Sequence, residues 1–283
     1  MDVANTFATL ALLGKEIPHL WGLRSSGVAS GLVPNASFRI AKVLSKRATV
    51  AVANSDAVHE FYQSAGFRPK KWGVVPNGVD SALFKPHRSQ VNSGAVDSSS
   101  KEVVVGMVAR ADRIKRYDIL FEMIAALKYR YPKISWKIGG LGTDNPNGLI
   151  FDLLQQSGVK DDVEVLGEIK DVPALMATFD ISICCSDFEG SANSILEAIS
   201  CGVPVVSFDV GDAAVLLENC GVIVHPPTAE ALGRSVAELL DDFPRRQNLG
   251  IAGRQRVENN YGVDTMAQRT RDIMVSVLNC PNG

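Results

Sequence analysis

Residues 181–208 read ISICCSDFEGSANSILEAISCGVPVVSF, and this stretch decides the fold. Two short apolar runs, at 181–185 and 204–208, flank a polar loop with a glycine and a segment that ends at a Cys-Gly pair. Because both runs are continuously apolar rather than alternating, the sheet that they form is expected to be covered on both faces. The stretch therefore predicts a strand, a loop, a helix and a second, parallel strand.

The same alternation of strand and helix runs through most of the chain. After a polar, Ser-rich segment at 88–101, strands are predicted at 102–109, 134–140, 163–167, 181–185, 204–208 and 222–224, with helices between them. Before that segment, the sequence predicts shorter strands at 17–23, 49–54 and 71–76, preceded by an amphipathic or buried helix. This alternation is typical of an α/β fold with doubly wound parallel sheets, and we expect two domains.

Composition limits the classes of partner. With 29 basic and 31 acidic side chains the net charge is -2, which predicts no general attraction to nucleic acid or to an acidic membrane. No apolar stretch approaches the ~20 residues of a membrane span, so membrane association is expected to be peripheral at most. The five cysteines form no Cys-x-x-Cys pair, which predicts reduced thiols and a cytoplasmic location. The four histidines are scattered, which predicts that there is no zinc site.

The first informative loop follows the predicted strand at 102–109. It carries four cations within seven residues: Arg110, Arg113, Lys115 and Arg116. Guanidinium and ammonium groups neutralise phosphate oxygens, and ligands of doubly wound sheets bind beyond the carboxyl ends of the strands. The loop is therefore a candidate diphosphate site, with a solvated basic turn as the alternative.

The second informative loop, at 186–198, carries two carboxylates around a predicted helix start. Asn193 or Ser194 is a suitable N-cap, so free backbone N–H groups and the positive end of the helix dipole form an anion site. Glu197 has two interpretations, because Ser194-x-x-Glu197 also matches a capping box. Phosphate bound at this anion site would repel the Glu189 carboxylate. This favours a role in which Glu189 contacts sugar hydroxyls or stabilises a developing positive charge.

These residues together resemble a known family. Ala109-Arg110-x4-Lys115, Glu189-Gly190-x6-Glu197 and the CGVPVV run at 201–206 are similar to glycosyltransferase family 4, a retaining group of the GT-B fold. The resemblance implies two Rossmann-like domains: a partial, acceptor-side domain at 1–85 and a nucleotide-sugar-binding domain at 86–283, whose last helix crosses back to the first. Roughly 80 residues precede the hinge, where a complete domain of this kind has on the order of 150, so the first domain is expected to be incomplete.

The resemblance also implies a role for each site residue. The donor diphosphate is expected at Arg110, Lys115, Ser191, Ala192, Asn193 and Ser194, the ribose at Glu197, the base near Ile169, and the donor sugar at Gly190 and Glu189, with Glu189 as the catalytic residue at the reacting face. No metal or other cofactor is expected, since the chain contains no Asp-x-Asp motif.

The implied function is retaining transfer from a UDP- or GDP-sugar to a glycan or lipid-linked acceptor, in surface polysaccharide biosynthesis at the inner face of the membrane. A second interpretation is a non-catalytic nucleotide-sugar-binding remnant, whose cleft is completed by a partner chain or by self-association. A phosphorylase or epimerase of the same fold is a third.

Overall fold

The computed structural model describes residues 2–15, 17–25, 32–87 and 102–278, which form two compact units. The first unit contains the described residues of Met1–Gly78, Phe188–Ala192 and Val263–Gly283. The second unit contains those of Val79–Asp187 and Asn193–Gly262. None of the helices within these ranges is both long and apolar enough to cross a membrane.

The first unit is built on a parallel sheet of three strands in the order β1-β2-β3. Its elements are α1 (Asp2–Ala11), β1 (Leu20–Leu23), α2 (Leu32–Leu44), a 3-10 turn at Ser45–Arg47, β2 (Val50–Ala53), α3 (Asp56–Ser64) and β3 (Lys71–Val74), together with the last helix of the chain. Trp21 and Leu23 of β1 are buried against Tyr62 and Phe67, so that the core lies between the sheet and α3. The opening helix is amphipathic as predicted, but its polar side is the buried one.

The second unit holds a six-stranded parallel sheet, with every strand that the sequence predicts after residue 102. Its elements are β4 (Val103–Val108), α4 (Tyr117–Leu127), β5 (Ile134–Gly139), α5 (Leu149–Ser157), β6 (Val163–Val165), α6 (Val172–Met176), β7 (Ile181–Cys184), α7 (Asn193–Ser200), β8 (Val205–Phe208), α8 (Ala213–Leu216), β9 (Gly221–Val224), α9 (Ala229–Asp241) and α10 (Phe243–Asn260). Helix α11 (Val263–Leu278) follows and belongs to the first unit.

The strand order β6-β5-β4-β7-β8-β9 places a topological switch between β4 and β7. From β4 the chain winds to one side through β5 and β6, then returns to β7 and winds to the other side. The register pairs Val105 with Ile181 and Gly106 with Ser182. Crevices for ligands open at the carboxyl ends of strands at such a point. The switch therefore singles out the loops that follow β4 and β7.

The first segment of the first unit ends at Gly78. The segment that follows is bonded to the second unit: the Val79 N–H donates to the Tyr261 carbonyl at 2.8 Å. The Phe84 carbonyl accepts from Ser200 Oγ and from the Arg254 guanidinium, both at 2.7 Å. These bonds join residues distant in sequence, so no local pattern indicates them.

All four described cysteines, Cys184, Cys185, Cys201 and Cys220, are buried free thiols, as the sequence predicts. The fifth, Cys280, lies outside the described residues. Burial raises the pKa of Cys201 to about 12, which keeps this thiol protonated and unreactive at neutral pH.

Gly106 in the middle of β4 generates a prediction about stability. A Cβ at this position would overlap the ring of Phe179, which is fully buried. We expect Gly106→Ala to lower the free energy of unfolding by about 1–3 kcal/mol, because the ring must move within a packed core. Urea unfolding followed by circular dichroism measures the change.

Gly262→Ala is the matched control, since a Cβ there meets no atom within 4 Å. An equal effect of the two substitutions would show that backbone entropy, and not the Phe179 contact, governs the result.

Candidate functional site

Three loops at the carboxyl edge of the second sheet are hydrogen-bonded to one another. The Ala111 N–H donates to the Leu141 carbonyl at 2.9 Å, which joins the loops after β4 and β5. The Gly140 N–H donates to the Gly167 carbonyl at 2.7 Å, which joins the loops after β5 and β6. Gly140 has φ +142°, and a Cβ there would overlap the Ala109 carbonyl. This glycine therefore serves loop-to-loop packing.

Arg110, the first of the four predicted cations, is oriented by Asp112. Its Nε and Nη2 donate to Asp112 Oδ2 at 3.1 and 2.9 Å. Asp112 also accepts the Ile114 N–H at 3.2 Å, at the start of the 3-10 turn Arg113–Lys115. That backbone bond, aided by Arg110, lowers the pKa of Asp112. The Arg110 side chain remains 60% exposed, and its bonds to Asp112 use Nε and Nη2 but not Nη1.

Arg116 has a structural role that the sequence did not reveal. It adopts the left-handed conformation, with φ 53°. Its guanidinium donates to Asp118 at 2.9 Å and to Asp187 at 2.7 Å. These bonds raise the pKa of Arg116 above its usual value. Because Asp187 follows β7, the ion pair of Arg116 with Asp187 joins the two loops of the topological switch. A second bond joins the same loops, since the Asp187 N–H donates to the Ile114 carbonyl at 2.8 Å.

Helix α7 carries Glu197 one turn beyond the switch. The helix begins at Asn193, so both predicted capping residues lie in its first turn. The predicted end at Gly202 is confirmed: this residue has φ +72°, and its N–H donates to the Ile199 carbonyl at 3.1 Å. The first backbone N–H groups of a helix lack intrahelical partners, and those of α7 lie at the carboxyl edge of the sheet.

The capping box between Ser194 and Glu197 is absent. The Glu197 carboxylate is partly buried, and it makes no hydrogen bond to any residue that the structure describes. Burial raises the pKa of Glu197. A carboxylate in this state lacks the donors that would stabilise its charge.

Ile169 lies at the carboxyl end of β5. A Cβ on Gly139, the last residue of that strand, would be 2.8 Å from Ile169 Cγ1, so the isoleucine side chain covers the strand end. Its partial exposure leaves an apolar surface at the edge where the Arg110 loop also lies.

The segment Phe188–Ala192 belongs to the first unit, where Gly190 packs against the loop after β1. A Cβ on Gly190 would be 2.8 Å from the Arg24 carbonyl oxygen and 3.2 Å from Val58 Cγ2. The neighbouring Ser191 Oγ is buried and has no hydrogen-bond partner among the residues described. The same holds for Oδ1 of Asn54, the residue that follows β2. Both atoms are potential hydrogen-bonding groups for a ligand. Ser191 is one of the predicted diphosphate residues, whereas the sequence pattern did not single out Asn54.

The predicted site residues are thus distributed over both units. The second unit holds Arg110, Lys115, Ile169, Asn193, Ser194 and Glu197, and the first unit holds Glu189, Gly190, Ser191 and Ala192. Within the described ranges there is no group of three or more His, Cys, Asp and Glu side chains arranged to hold a metal ion.

Solved structures of other proteins share this fold. A UDP complex of HepE from Anabaena superimposes with a TM-score of 0.83 at 24% identity, over 98% of this chain and 77% of that one. Sucrose-phosphate synthase from Thermosynechococcus elongatus gives a TM-score of 0.83 at 21% identity, over 98% and 72%. The likeness confirms the predicted α/β fold of the GT-B type.

Curated relatives are similar over most of this chain. A D-inositol 3-phosphate glycosyltransferase of Salinispora tropica is 34% identical over 227 residues, which are 72% of this chain and 46% of the relative. The lipopolysaccharide core biosynthesis mannosyltransferase LpsB of Rhizobium meliloti is 24% identical over 213 residues, 72% of this chain and 61% of that protein. The chain spans about half the length of several curated relatives that it matches, the Salinispora protein among them.

A family model described as glycosyl transferases group 1 matches residues 90–256, more than half of the chain. The matched range contains the Arg110 loop, the topological switch and helix α7. The chain therefore belongs to the glycosyl transferases group 1 family.

Proposed function

We propose that this protein transfers a hexosyl group from a UDP- or GDP-sugar to a glycan or lipid-linked acceptor, with retention of anomeric configuration. One observation carries the proposal. At the switch between β4 and β7, an oriented and exposed Arg110 guanidinium shares the carboxyl edge of the sheet with the start of α7, whose Glu197 lacks a described hydrogen-bond partner. Cations suit a diphosphate, and an unsatisfied carboxylate suits a ribose diol.

The diphosphate is assigned to the cations and backbone amides of this edge. Arg110 already directs two of its N–H groups to Asp112, which holds the guanidinium in place and leaves Nη1 for a phosphate oxygen. Lys115 supplies a second charge, and the first turn of α7, at Asn193 and Ser194, supplies N–H groups and the positive end of the helix dipole. Arg116 holds the two loops in register through Asp187.

The nucleoside is assigned to Glu197 and Ile169. Two ribose hydroxyls would donate to the Glu197 carboxylate, which offsets the desolvation that raises its pKa. Ile169 offers an apolar surface to the base at the end of β5.

The sugar is assigned to the segment Phe188–Ala192. The Glu189 carboxylate would face the donor sugar and stabilise positive charge on the anomeric carbon as the glycosidic bond breaks. The departing diphosphate, neutralised by Arg110 and Lys115, would accept the acceptor proton on the same face, which retains configuration. These side chains supply the counter-charge, so the proposed mechanism needs no metal ion.

Names of the relatives support the biological setting. LpsB is named for lipopolysaccharide core biosynthesis and the Salinispora relative for D-inositol 3-phosphate. We extend this to a role in surface polysaccharide biosynthesis at the cytoplasmic face of the membrane.

Arg110→Gln tests the diphosphate assignment. We expect it to weaken binding of UDP or GDP by roughly tenfold to a hundredfold, because a hydrogen bond between charged groups contributes about 1.5–3 kcal/mol. Isothermal titration calorimetry measures the dissociation constants. Arg130→Gln is the matched control, since Arg130 is 64% exposed and paired with Asp241 at 2.8 Å, much as Arg110 is paired with Asp112. Equal loss in both variants contradicts the assignment.

Glu197→Gln separates function from stability. A carboxyl whose pKa is raised on folding contributes stability that is fully present below its unfolded pKa and is lost as pH rises through the folded pKa. The glutamine variant is therefore expected to be more stable than the wild type near neutral pH, and the difference should vanish in acid. Thermal unfolding measured from acid to neutral pH reports this difference.

The same Glu197→Gln variant is expected to bind the nucleotide at least tenfold more weakly, since an amide is a poorer acceptor for two hydroxyls than a carboxylate. A capping role predicts the reverse for stability, because removing a cap destabilises a protein. Unchanged affinity together with lower stability would therefore support the capping role and reject the ribose assignment.

Transfer itself is tested with UDP- and GDP-hexoses and a mixture of glycan and lipid-linked acceptors. We expect a product with the anomeric configuration of the donor, formed equally well in the presence of EDTA, and lost in Glu189→Gln. Proton NMR of the product gives the configuration. Inversion or a strict metal requirement contradicts the mechanism, whereas nucleotide binding without turnover under all conditions favours the non-catalytic remnant.

A further inference from the structure

Asp144 presents a carboxylate at the part of the carboxyl edge that β5 and β6 form. The residue lies in the loop after β5, at 140–148, and its side chain is exposed. A Cβ on Gly167, in the loop after β6, would be 2.6 Å from Asp144 Oδ2 and 2.8 Å from Asp144 Cγ. The carboxylate therefore packs against the Gly167 backbone, in a place that a side chain at residue 167 would occupy.

Hydrogen bonds between the two loops fix the position of this carboxylate. Thr143, the preceding residue, is fully buried, and its Oγ1 donates to the Gly140 carbonyl at 2.9 Å. The Gly140 N–H donates in turn to the Gly167 carbonyl at 2.7 Å. Gly167 has φ +68°, a left-handed conformation that glycine adopts without strain. The loop that carries Asp144 and the glycine that it covers are thus held together.

The Asp144 carboxylate is not neutralised from within the described part of the chain. It forms neither a hydrogen bond nor an ion pair with any residue in those ranges. By contrast, Asp112, Asp118 and Asp187 near the same edge are each bonded to an arginine. Both oxygens of Asp144 can therefore accept hydrogen bonds from a ligand.

This carboxylate lies beside the surface that is assigned to the base. Ile169 is partly exposed and is two residues beyond Gly167, so the apolar surface and the carboxylate both adjoin the segment 167–169. The strand order β6-β5-β4-β7 places these loops to one side of the diphosphate loops, which follow β4 and β7. A nucleotide that extends from the switch toward β6 would bring its base to Ile169 and to Asp144.

We infer that Asp144 binds the edge of the donor base and selects a GDP-sugar over a UDP-sugar. The inference rests on the proposed function, since it names the donor of the same site. Guanine presents two neighbouring donors, N1–H and the exocyclic amino group, which match the two oxygens of a carboxylate. Uracil presents a single N–H between two carbonyl oxygens, and the charge of Asp144 would repel both of these oxygens.

Adenine and cytosine match the carboxylate less well than guanine does. Each presents an amino donor beside an unprotonated ring nitrogen, so that one carboxylate oxygen gains a hydrogen bond and the other meets a lone pair. Repulsion of this kind adds to the loss of a bond, and specificity is the difference in affinity that results. Guanine is the base that satisfies both oxygens of Asp144.

Calorimetry of the full chain with GDP, inosine diphosphate and UDP tests the inference. We expect the wild type to bind GDP at least about tenfold more tightly than UDP, because a hydrogen bond to a charged group is stronger than one between neutral groups. Inosine diphosphate keeps N1–H but lacks the exocyclic amino group. It is therefore expected to bind about tenfold more weakly than GDP.

Asp144→Asn keeps the shape that packs against Gly167 and removes the charge. We expect it to weaken GDP binding about tenfold to a hundredfold, to leave UDP binding no weaker, and to close the gap between GDP and inosine diphosphate. Asp161→Asn is the matched control, since this exposed carboxylate lies in the turn before β6, at the opposite edge of the sheet. It should leave all three affinities unchanged, and circular dichroism verifies that every variant is folded.

Three outcomes overturn the inference. Binding of UDP as tight as that of GDP by the wild type rejects it and leaves the proposed glycosyl transfer standing. A preference for GDP that survives in Asp144→Asn rejects Asp144 as its source, and loss of this preference in Glu168→Gln then assigns it to the exposed neighbour of Gly167. Failure of the folded wild type to bind any of the three nucleotides rejects the donor site itself, and with it both proposals.

Discussion

The ion pair between Arg116 and Asp187 is the contact on which the candidate donor site depends. It joins the loop after β4 to the loop after β7, across the point where the winding of the second sheet reverses. Arg110, Lys115 and the start of α7 are all carried by these two loops. Together with the backbone bond from Asp187 to Ile114, this ion pair ties the loop that carries the cations to the loop that leads into α7. A cation whose charge is already neutralised thus joins the two loops that carry the candidate phosphate-binding residues.

Burial of the Glu197 carboxylate costs the folded chain free energy, and a bound ligand can offset this cost. The carboxylate is partly buried with no described donor, so burial alone acts on it and favours the protonated form. Proteins rarely retain such a group for stability, because an amide or an apolar residue of similar size would cost less. Ribose hydroxyls supply the missing donors. The same reasoning applies to Ser191 Oγ and Asn54 Oδ1 in the first unit, two buried polar atoms without partners in the described part of the chain.

Much of the fold was predictable, because its signals are local. Continuous apolar runs located the strands, and Gly202 located the end of α7. Local patterns also misled: Ser194-x-x-Glu197 suggested a capping box that does not form, and the four cations after β4 looked equivalent although Arg116 is committed to two carboxylates. No local pattern indicates the bonds from Phe84 to Ser200 and Arg254, because they connect positions that lie more than a hundred residues apart.

The sequence by itself determined the parallel α/β class, the strand positions of the second unit and the residue types of a nucleotide-sugar site. These follow from hydrophobic periodicity and turn chemistry, which act over a few residues. Only the tertiary structure decided the strand order, the switch between β4 and β7, the absence of a partner for Glu197 among the described residues, and the position of Asp144 against Gly167. Those features depend on which distant segments pack together and which side of an element is covered, and neither follows from the spacing of residues along the chain.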